Sequence, residues 1–309
     1  RDLVRSRGLG DVYKRQGVDR VTPLLLRVSD NEIWLRGGRC WLRAMLSQWS
    51  GEERLHANVL TPVLISGKQG LSKSTFCRLL MPDSLRHYFI DNLNLAAGSS
   101  PEKKLVKNGL INLDEFDKIK ESQQATLKNL LQMVNVPVFR GKRLGWVNES
   151  RLASFIATTN VYQVLIDSTG SRRFLCVEVL KPISEEPLEH KQIYAQLKEE
   201  LKSGAPDYLN KEEEKALQKH NKAYYRQSLL EDVFHCCFRH PLETEKGIWL
   251  TTAEIFQVMR KFNSAALKEV SARQLGLKLS AMGYMAKHTS FGNRYYVFNL
   301  SAEKKEVSL

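Results

Sequence analysis

The stretch of residues 63–75 contains the side chains whose types and spacing could do chemistry. Its sequence, VLISGKQGLSKST, is an apolar run that leads into a glycine-rich loop ending in Lys73, Ser74 and Thr75. The backbone N–H groups of such a loop, together with a helix that starts at its end, can surround a phosphate group. Lys73 would reach the β- and γ-phosphates of a nucleotide, and the Ser74 hydroxyl would hold Mg²⁺. The stretch therefore predicts a binding site for ATP and Mg²⁺.

One position of this loop departs from the phosphate-binding pattern G-x-x-x-x-G-K-[ST]. Ser72 stands where the pattern has its second glycine. A serine adds a Cβ atom where the backbone must approach phosphate, although its hydroxyl could donate a hydrogen bond. The residues expected to contact the nucleotide are Gly67, Gln69, Gly70, Leu71, Ser72, Lys73, Ser74 and Thr75.

A second apolar run, within residues 109–117, ends in the adjacent carboxylates Asp114 and Glu115. In an open α/β sheet, ligands bind beyond the carboxyl ends of the strands, so this run and the glycine-rich loop would meet at one site. Asp114 suits a contact with Mg²⁺, because hard cations prefer carboxylate oxygens. Glu115 suits the base that orients an attacking water. An ordinary acidic helix cap is the alternative for either residue alone.

A third apolar run, residues 153–159, ends at Asn160, whose amide could bind the γ-phosphate or the attacking water. Residues 167–173, DSTGSRR, then precede a further apolar run at 174–179. Arg172 or Arg173 could supply the cation that offsets charge developing in phosphoryl transfer. Arginine is also a common surface residue, so an exposed position without a role is the alternative for this pair.

Residues 136–147 combine two short apolar arms with the basic sequence RGKR at 140–143. This pattern predicts a β-hairpin with a basic tip. Lysine and arginine at such a tip would contact nucleic-acid phosphates regardless of base sequence. We expect Arg140, Lys142 and Arg143 to contact DNA; the alternative is a solvent-exposed basic loop.

The order of these motifs resembles that of the virulence-associated protein E (VirE-like) P-loop ATPases, which are related to superfamily 3 helicases of the AAA+ group. The resemblance covers residues 61–180, and it rests on the loop and on LDEF at 113–116, IATTN at 156–160 and DSTGSRRF at 167–174. It implies the Walker A role for Lys73 and Ser74, and the Walker B role for Asp114 and Glu115.

The same resemblance implies a sensor-1 role for Asn160 and an arginine-finger role, toward a neighbouring subunit, for Arg172 or Arg173. It implies an ATP-hydrolysing, helicase-like ATPase that acts on single-stranded DNA or a replication fork in a mobile element or phage-like replicon. Such proteins form homo-oligomers such as hexameric rings, often beside a primase-type N-terminal region or partner. Two alternatives stay open: a non-translocating regulatory ATPase, and a DNA-binding protein whose nucleotide site is degenerate at Ser72.

The sequence after the ATPase-like segment predicts two further regions. Residues 183–228 predict two charged helices that form a linker or lid, with Asn210 and Glu213 as a capping box. Residues 229–300 predict three helices and a terminal hairpin, which is the winged-helix arrangement. A protein–protein contact is the alternative to DNA binding here, and the segment resembles the C-terminal domain of unknown function 3874 found behind VirE-like ATPases. The expected DNA contacts are Arg273, Lys278, Lys287 and Arg294.

The composition of the chain indicates which partners and which environment to expect. The formal net charge of +13 favours a polyanionic partner such as DNA. The five cysteines form no C-x-x-C pair and predict reduced packing residues of a cytoplasmic protein. No apolar run is long enough to span a bilayer, so we expect no membrane partner. The first sixteen residues resemble translated sequencing adaptor.

The sequence therefore predicts an α/β P-loop NTPase core of the AAA+ or superfamily 3 helicase type, followed by a helical segment and a small winged-helix-like α+β domain. The expected divisions are an adaptor artefact at 1–16, a helical lead-in at 17–60, the ATPase core at 61–182, the linker or lid at 183–228, the winged-helix-like domain at 229–300 and a tail at 301–309.

Overall fold

A computed structural model describes residues 18–51, 56–96, 99–166, 172–226, 229–242, 244–267, 270–290 and 292–300. The chain divides into two compact units, Arg1–Tyr225 and Arg226–Leu309. The proposed adaptor string and residues 167–171 of the DSTGSRR motif lie outside the described residues.

The first unit is an α/β structure built on a parallel five-stranded sheet. In chain order its strands are β1 (Thr61–Ile65), β2 (Phe89–Asp91), β3 (Leu110–Leu113), β6 (Ser154–Thr159) and β7 (Phe174–Glu178), and in space they run β2-β3-β6-β1-β7. Every residue of β1 and of β6 is buried, which explains why their sequences are continuous apolar runs.

Helices cover both faces of this sheet. They are α1 (Val21–Leu26), α2 (Glu32–Ser50), α3 (Lys73–Leu79), α4 (Glu102–Lys107), α5 (Glu121–Gln132), α6 (His190–Lys202) and α7 (Lys211–Asn221). One face, which includes Leu64, packs with α1, α2, α3, α6 and α7, and the three tryptophans of α2 lie in that core. The opposite face, which includes Val63 and Ile65, packs with α4 and α5. The first unit therefore has three layers, with the sheet in the middle.

A separate two-stranded hairpin lies between α5 and β6. Its strands, β4 (Asn135–Phe139) and β5 (Trp146–Ser150), pair antiparallel. Val136 and Val138 point into the core on the α5 side, whereas Pro137 and Phe139 are exposed. The hairpin is therefore anchored by one face and presents the other to solvent.

The second unit contains α8 (Leu229–Cys237), β8 (Phe238–Arg239), β9 (Ile248–Thr251), α9 (Thr252–Phe262), α10 (Ala272–Ala281), β10 (Ala286–Thr289) and β11 (Gly292–Asn299). Strand β11 pairs antiparallel with β8, β9 and β10. The three helices pack on this sheet around Phe234, Met259 and Tyr295. Thr251 and Ser271 cap α9 and α10 in the capping boxes that their sequences predict.

Several elements differ from the sequence-based expectations. Strands β8 and β9 were not expected, and residues 83–88 form a 3-10 helix before the short strand β2. The part of residues 183–228 through Tyr225 lies in the first unit, where α6 and α7 bury Ile193, Tyr194, Leu197 and Leu217 in the core. Of the five cysteines, all are free, and Cys236 is exposed rather than packed.

None of the helices in the described part of the chain combines the length and apolar character needed to cross a bilayer.

Arg151 connects the hairpin to the layers beneath it. Its side chain is 2 % exposed. The guanidinium donates to the carbonyl oxygens of Leu131 at 2.8 Å, Ala153 at 2.7 Å and Asn58 at 3.1 Å. It therefore ties the end of α5, the start of β6 and the segment before β1 together.

We predict that Arg151→Met lowers the free energy of unfolding of the first unit by about 3–5 kcal/mol, because several buried carbonyl oxygens lose their donor. Arg151→Lys should lie between wild type and Arg151→Met, since one ammonium can replace some of these bonds. Urea unfolding followed by the fluorescence of the buried tryptophans measures both. An Arg151→Met chain that unfolds at the wild-type urea concentration would contradict the prediction.

Candidate functional site

The loop after β1 and the carboxyl ends of β3 and β6 meet in a cleft of about 370 Å³. Parallel pairing explains this, since Ile65 of β1 aligns with Thr159 of β6 and Leu113 of β3 aligns with Ala157. The three chain segments that the sequence singled out therefore leave the sheet at one edge. The cleft is lined by Gln69, Gly70, Leu71, Ser72, Lys73, Ser74, Thr75, Asp114, Glu115, Asp117, Thr158, Thr159, Asn160 and Val161.

Lys73 lies at the centre of this cleft and is 8 % exposed. Its ammonium donates to the Asn160 side-chain oxygen at 2.8 Å and to the Ser66 hydroxyl. Burial lowers the pKa of Lys73, and the nearby Asp114 carboxylate opposes this effect. The loop cation and the residue at the end of β6 are thus in direct contact, although 87 residues separate them.

Asp114 accepts hydrogen bonds from two hydroxyls on other elements. Ser74 at the start of α3 donates at 3.3 Å, and Thr158 of β6 donates to the same carboxylate oxygen. The arrangement places a hydroxyl and a carboxylate side by side at the mouth of the loop. Both groups are hard oxygen ligands of the kind that Mg²⁺ prefers.

Glu115 has an unusual backbone conformation, with φ of 52° in the left-handed region. Its exposed carboxylate pairs with Lys118 at 2.7 Å, and this hydrogen bond raises the pKa of Lys118. Exposed ion pairs of this kind are weak. The carboxylate of Glu115 therefore lines the cleft, and only a weak ion pair holds it in its position.

Two residues of the site were missed by the sequence analysis. Asp117 lines the cleft and accepts a hydrogen bond from Thr159 at 2.6 Å. Tyr162 lies against Gly67, where an added Cβ would approach its ring to 2.8 Å, and its hydroxyl donates to Glu178 at 2.8 Å. The second aspartate of the DEFD sequence at 114–117 was an available signal for Asp117, whereas no sequence pattern pointed to Tyr162.

The loop after β1 offers backbone N–H groups as hydrogen-bond donors to a ligand. Across the described residues, the backbone N–H groups of positions 68–72 donate to no protein acceptor. Gly70 has φ of 75°, and Ser72 adopts φ of 58°, the left-handed conformation that favours glycine. Ser72 thus adopts the backbone shape of the glycine that it replaces.

These groups fit a nucleotide with magnesium. Residues 68–72 would hold phosphate oxygens through free N–H groups, and Lys73 would add a positive charge. Ser74 and Asp114 would hold Mg²⁺, whose remaining ligands would be water and phosphate oxygens. Among the described residues, no group of three or more His, Cys, Asp or Glu side chains could hold a metal ion.

Arg172 and Arg173 lie away from the cleft. They precede Phe174, which aligns with Thr61 at the start of β1, whereas the loop follows the other end of β1. At about 3.3 Å per residue, the length of β7 puts them roughly 13 Å along the sheet from the loop. Arg172 pairs with Glu214 at 3.3 Å. They do not line the cleft of their own chain.

The predicted DNA contacts have different surroundings. Lys142 and Arg143 are exposed at the hairpin tip, whereas Arg140 pairs with Glu149. In the second unit, Arg273 and Lys287 are exposed and Arg294 is half-buried. Lys278 is partly exposed and pairs with Glu231 of α8 at 2.7 Å.

We predict that Ser72→Gly is more stable than Ser72→Ala by about 1 kcal/mol, because alanine keeps the left-handed strain that glycine relieves. Both variants lack the hydroxyl, so their comparison isolates the backbone. Thermal unfolding measures the difference, and Ser72→Gly should keep wild-type nucleotide affinity. Equal stability of the two variants would show that the strain at Ser72 is absent.

Comparisons with known proteins give two family matches. Residues 227–297 match the domain of unknown function 3874, described from a B. Theta gene. No curated protein has a significant match. The apo structure of the NrS-1 C-terminal region (305–718) is similar with a TM-score of 0.44 and 13% identity, over 90% of this chain and 74% of that chain. The A form of this region gives a TM-score of 0.44 and 14% identity, over 91% and 74%.

The second family match covers most of the first unit and includes every residue of the cleft. Residues 12–226 match the model of the virulence-associated protein E-like domain. This match extends over more than half of the chain, so the protein belongs to the virulence-associated protein E-like domain family.

Proposed function

We propose that the first unit is a P-loop ATPase that binds ATP with Mg²⁺ and hydrolyses it. One observation carries the proposal: the Lys73 ammonium, the Ser74–Asp114 pair and the Asn160 amide meet beside a loop with unused backbone donors. Lysine, hydroxyl, carboxylate and amide are the groups that phosphoryl transfer requires around the transferred phosphate.

Each residue would have its own task in hydrolysis. Bound Mg²⁺ would neutralise part of the phosphate charge, held by Ser74 and Asp114. Lys73 would exchange its bonds to Asn160 and Ser66 for phosphate oxygens, which leaves the Asn160 amide available for the attacking water. Glu115 would act as the base that orients this water, once the Glu115 carboxylate has separated from Lys118.

We further propose that this ATPase acts on DNA, in a helicase-like role in the replication of a mobile element or phage-like replicon. Membership of the virulence-associated protein E-like family supports the proposed role in the replication of a mobile element or phage-like replicon. The formal charge of +13 and the exposed Lys142 and Arg143 support a nucleic-acid partner. For the second unit, three helices beside an antiparallel sheet support a winged helix, with Arg273 and Lys287 as its DNA contacts.

A DNA-binding protein whose nucleotide site is degenerate is the second candidate, and Ser72 favours it. Ser72 places a side chain within the loop at the position where the phosphate-binding pattern has glycine. Phosphate release with Mg²⁺ and ATP, measured with and without single-stranded DNA, separates the two candidates.

We predict that Lys73→Ala weakens ATP binding by about 100-fold, because the phosphates lose their buried cation. Lys68→Ala is the matched control: it removes an exposed lysine of the same loop that does not line the cleft, so it should bind ATP as wild type does. Titration calorimetry measures both affinities. Equal affinities of Lys73→Ala and wild type would refute the nucleotide site.

A second change separates binding from hydrolysis. Glu115→Gln should keep ATP affinity within about twofold and lower kcat by about 100-fold or more, since the water loses its base. Phosphate release at saturating ATP measures kcat. Unchanged turnover would remove Glu115 from the mechanism while leaving the binding site intact.

The position of Arg172 and Arg173 leads to a prediction about assembly. Because they lie about 13 Å along the sheet from their own loop, an arginine finger from this pair must act on a neighbouring subunit. Mixing inactive Arg172→Ala or Arg173→Ala chains with inactive Lys73→Ala chains should then restore part of the hydrolysis at mixed interfaces. Arg86→Ala, which removes another exposed arginine from an ion pair, should be fully active. Full activity from a strictly monomeric species would contradict action between subunits.

A further inference from the structure

The exposed face of the β4–β5 hairpin carries an aromatic pair that the ATPase site does not explain. Trp146 is 72% exposed and Phe139 is 48% exposed. They are cross-strand partners in the hairpin register, and their ring centroids lie 5.7 Å apart with the planes tilted by 56°. Three other tryptophans of this unit, on α2, are at most 6% exposed. Trp146 therefore exposes an aromatic surface of the kind that usually contributes to a core or an interface.

The neighbours of this pair give the face its chemical character. Pro137 and Asn148 are the next cross-strand partners on the same face, and both are exposed. On the opposite face of the hairpin, Val136 and Val138 of β4 pack into the core. The aromatic pair is thus held on a rigid support with an amide beside it.

The charge next to the pair is positive. Phe139 and Trp146 flank the tip loop 140–145, which contains no acidic residue. Arg140 is neutralised by Glu149, whereas Lys142 and Arg143 are exposed in the turn. Gly141 and Gly145, with φ of 90° and 62°, shape that turn. A ligand that covers the rings would therefore place its remaining groups against positive charge, which favours an anion.

We propose that Phe139 and Trp146 form a stacking platform for unpaired bases of a single-stranded nucleic acid, whose phosphates contact Lys142 and Arg143. The proposal rests on the DNA-acting role proposed above and names its ligand as the strand whose bases are free to stack. An aromatic surface beside cations suits this ligand, because every base has a flat face and every nucleotide carries a negative charge. Paired bases offer no free faces along a duplex, so the platform selects single strands.

The test compares binding of a fluorescein-labelled oligo(dT) and oligo(U) of equal length, an abasic strand of that length and a duplex. Trp146→Ala should weaken oligo(dT) binding by about tenfold or more and leave binding to the abasic strand unchanged. Tyr208→Ala is the matched control, since it removes another exposed aromatic residue of the same unit. Comparison of oligo(dT) with oligo(U) distinguishes DNA from RNA as the source of the bases.

Salt dependence separates stacking from charge. Trp146→Ala should keep the wild-type slope of log affinity against log salt concentration. Lys142→Ala with Arg143→Ala should make that slope shallower by about 1.4, because two phosphate contacts of about 0.7 each are lost.

A conservative variant protects the test against misfolding. Trp146→Phe should keep oligo(dT) affinity within about threefold, because phenylalanine also stacks, but it should lose the quenching of tryptophan fluorescence that the bases cause. Trp249→Phe, which removes the exposed tryptophan of the second unit, should retain that quenching.

Three results would overturn the proposal. Wild-type affinity of Trp146→Ala for oligo(dT) rejects the platform while leaving the DNA-acting function standing. If Trp146→Ala changes the oligomeric state in sedimentation and leaves oligonucleotide affinity unchanged, the aromatic pair is a contact between subunits and not a stacking platform. Failure of the wild-type chain to bind any strand removes both the platform and the DNA-acting role, whereas ATP titration still judges the nucleotide site separately.

Discussion

The burial of β1 between β6 and β7 is the constraint on which the rest of the first unit depends. Val63, Leu64 and Ile65 have no exposed surface, so they pack only if helices cover both faces of the sheet. Parallel pairing then sends the chain out of β1, β3 and β6 at the same edge. The cleft is a consequence of this pairing, because the loop, the acidic residues and Asn160 follow strands that must end together.

Burying the Lys73 ammonium adds a second constraint. A buried charge is costly unless polar groups surround it, and here Ser66, Asn160 and the more distant Asp114 carboxylate do so. These residues come from different elements, so one cation connects the loop to β3 and β6. The same contacts are those that a phosphate group would replace. The protein thus keeps its cation solvated by its own side chains in a geometry that is ready for an anion.

The elements that could be predicted from the sequence are those whose signals lie within a single segment of the chain. Strands β1, β3 and β6 could be predicted because continuous apolar runs need no partner to be recognised. The capping box at Asn210 was equally local. Strands β8 and β9 escaped prediction because they are short and exist only through pairing with β11. The contact of Lys278 with Glu231 could not be predicted because the two residues lie 47 positions apart, and no sequence pattern shows such a contact.

A continuous stretch of chain connects the hairpin to the cleft. Strand β5 ends at Ser150, Arg151 follows with its guanidinium bonded to three elements, and β6 runs directly from there to Asn160. Strand β6 is hydrogen-bonded along both edges, to β1 and to β3. A load applied to the hairpin by a bound strand would therefore reach the residue that contacts Lys73. This connection requires no mobile linker, and it makes the amide of Asn160 the point where strand binding and nucleotide chemistry would meet.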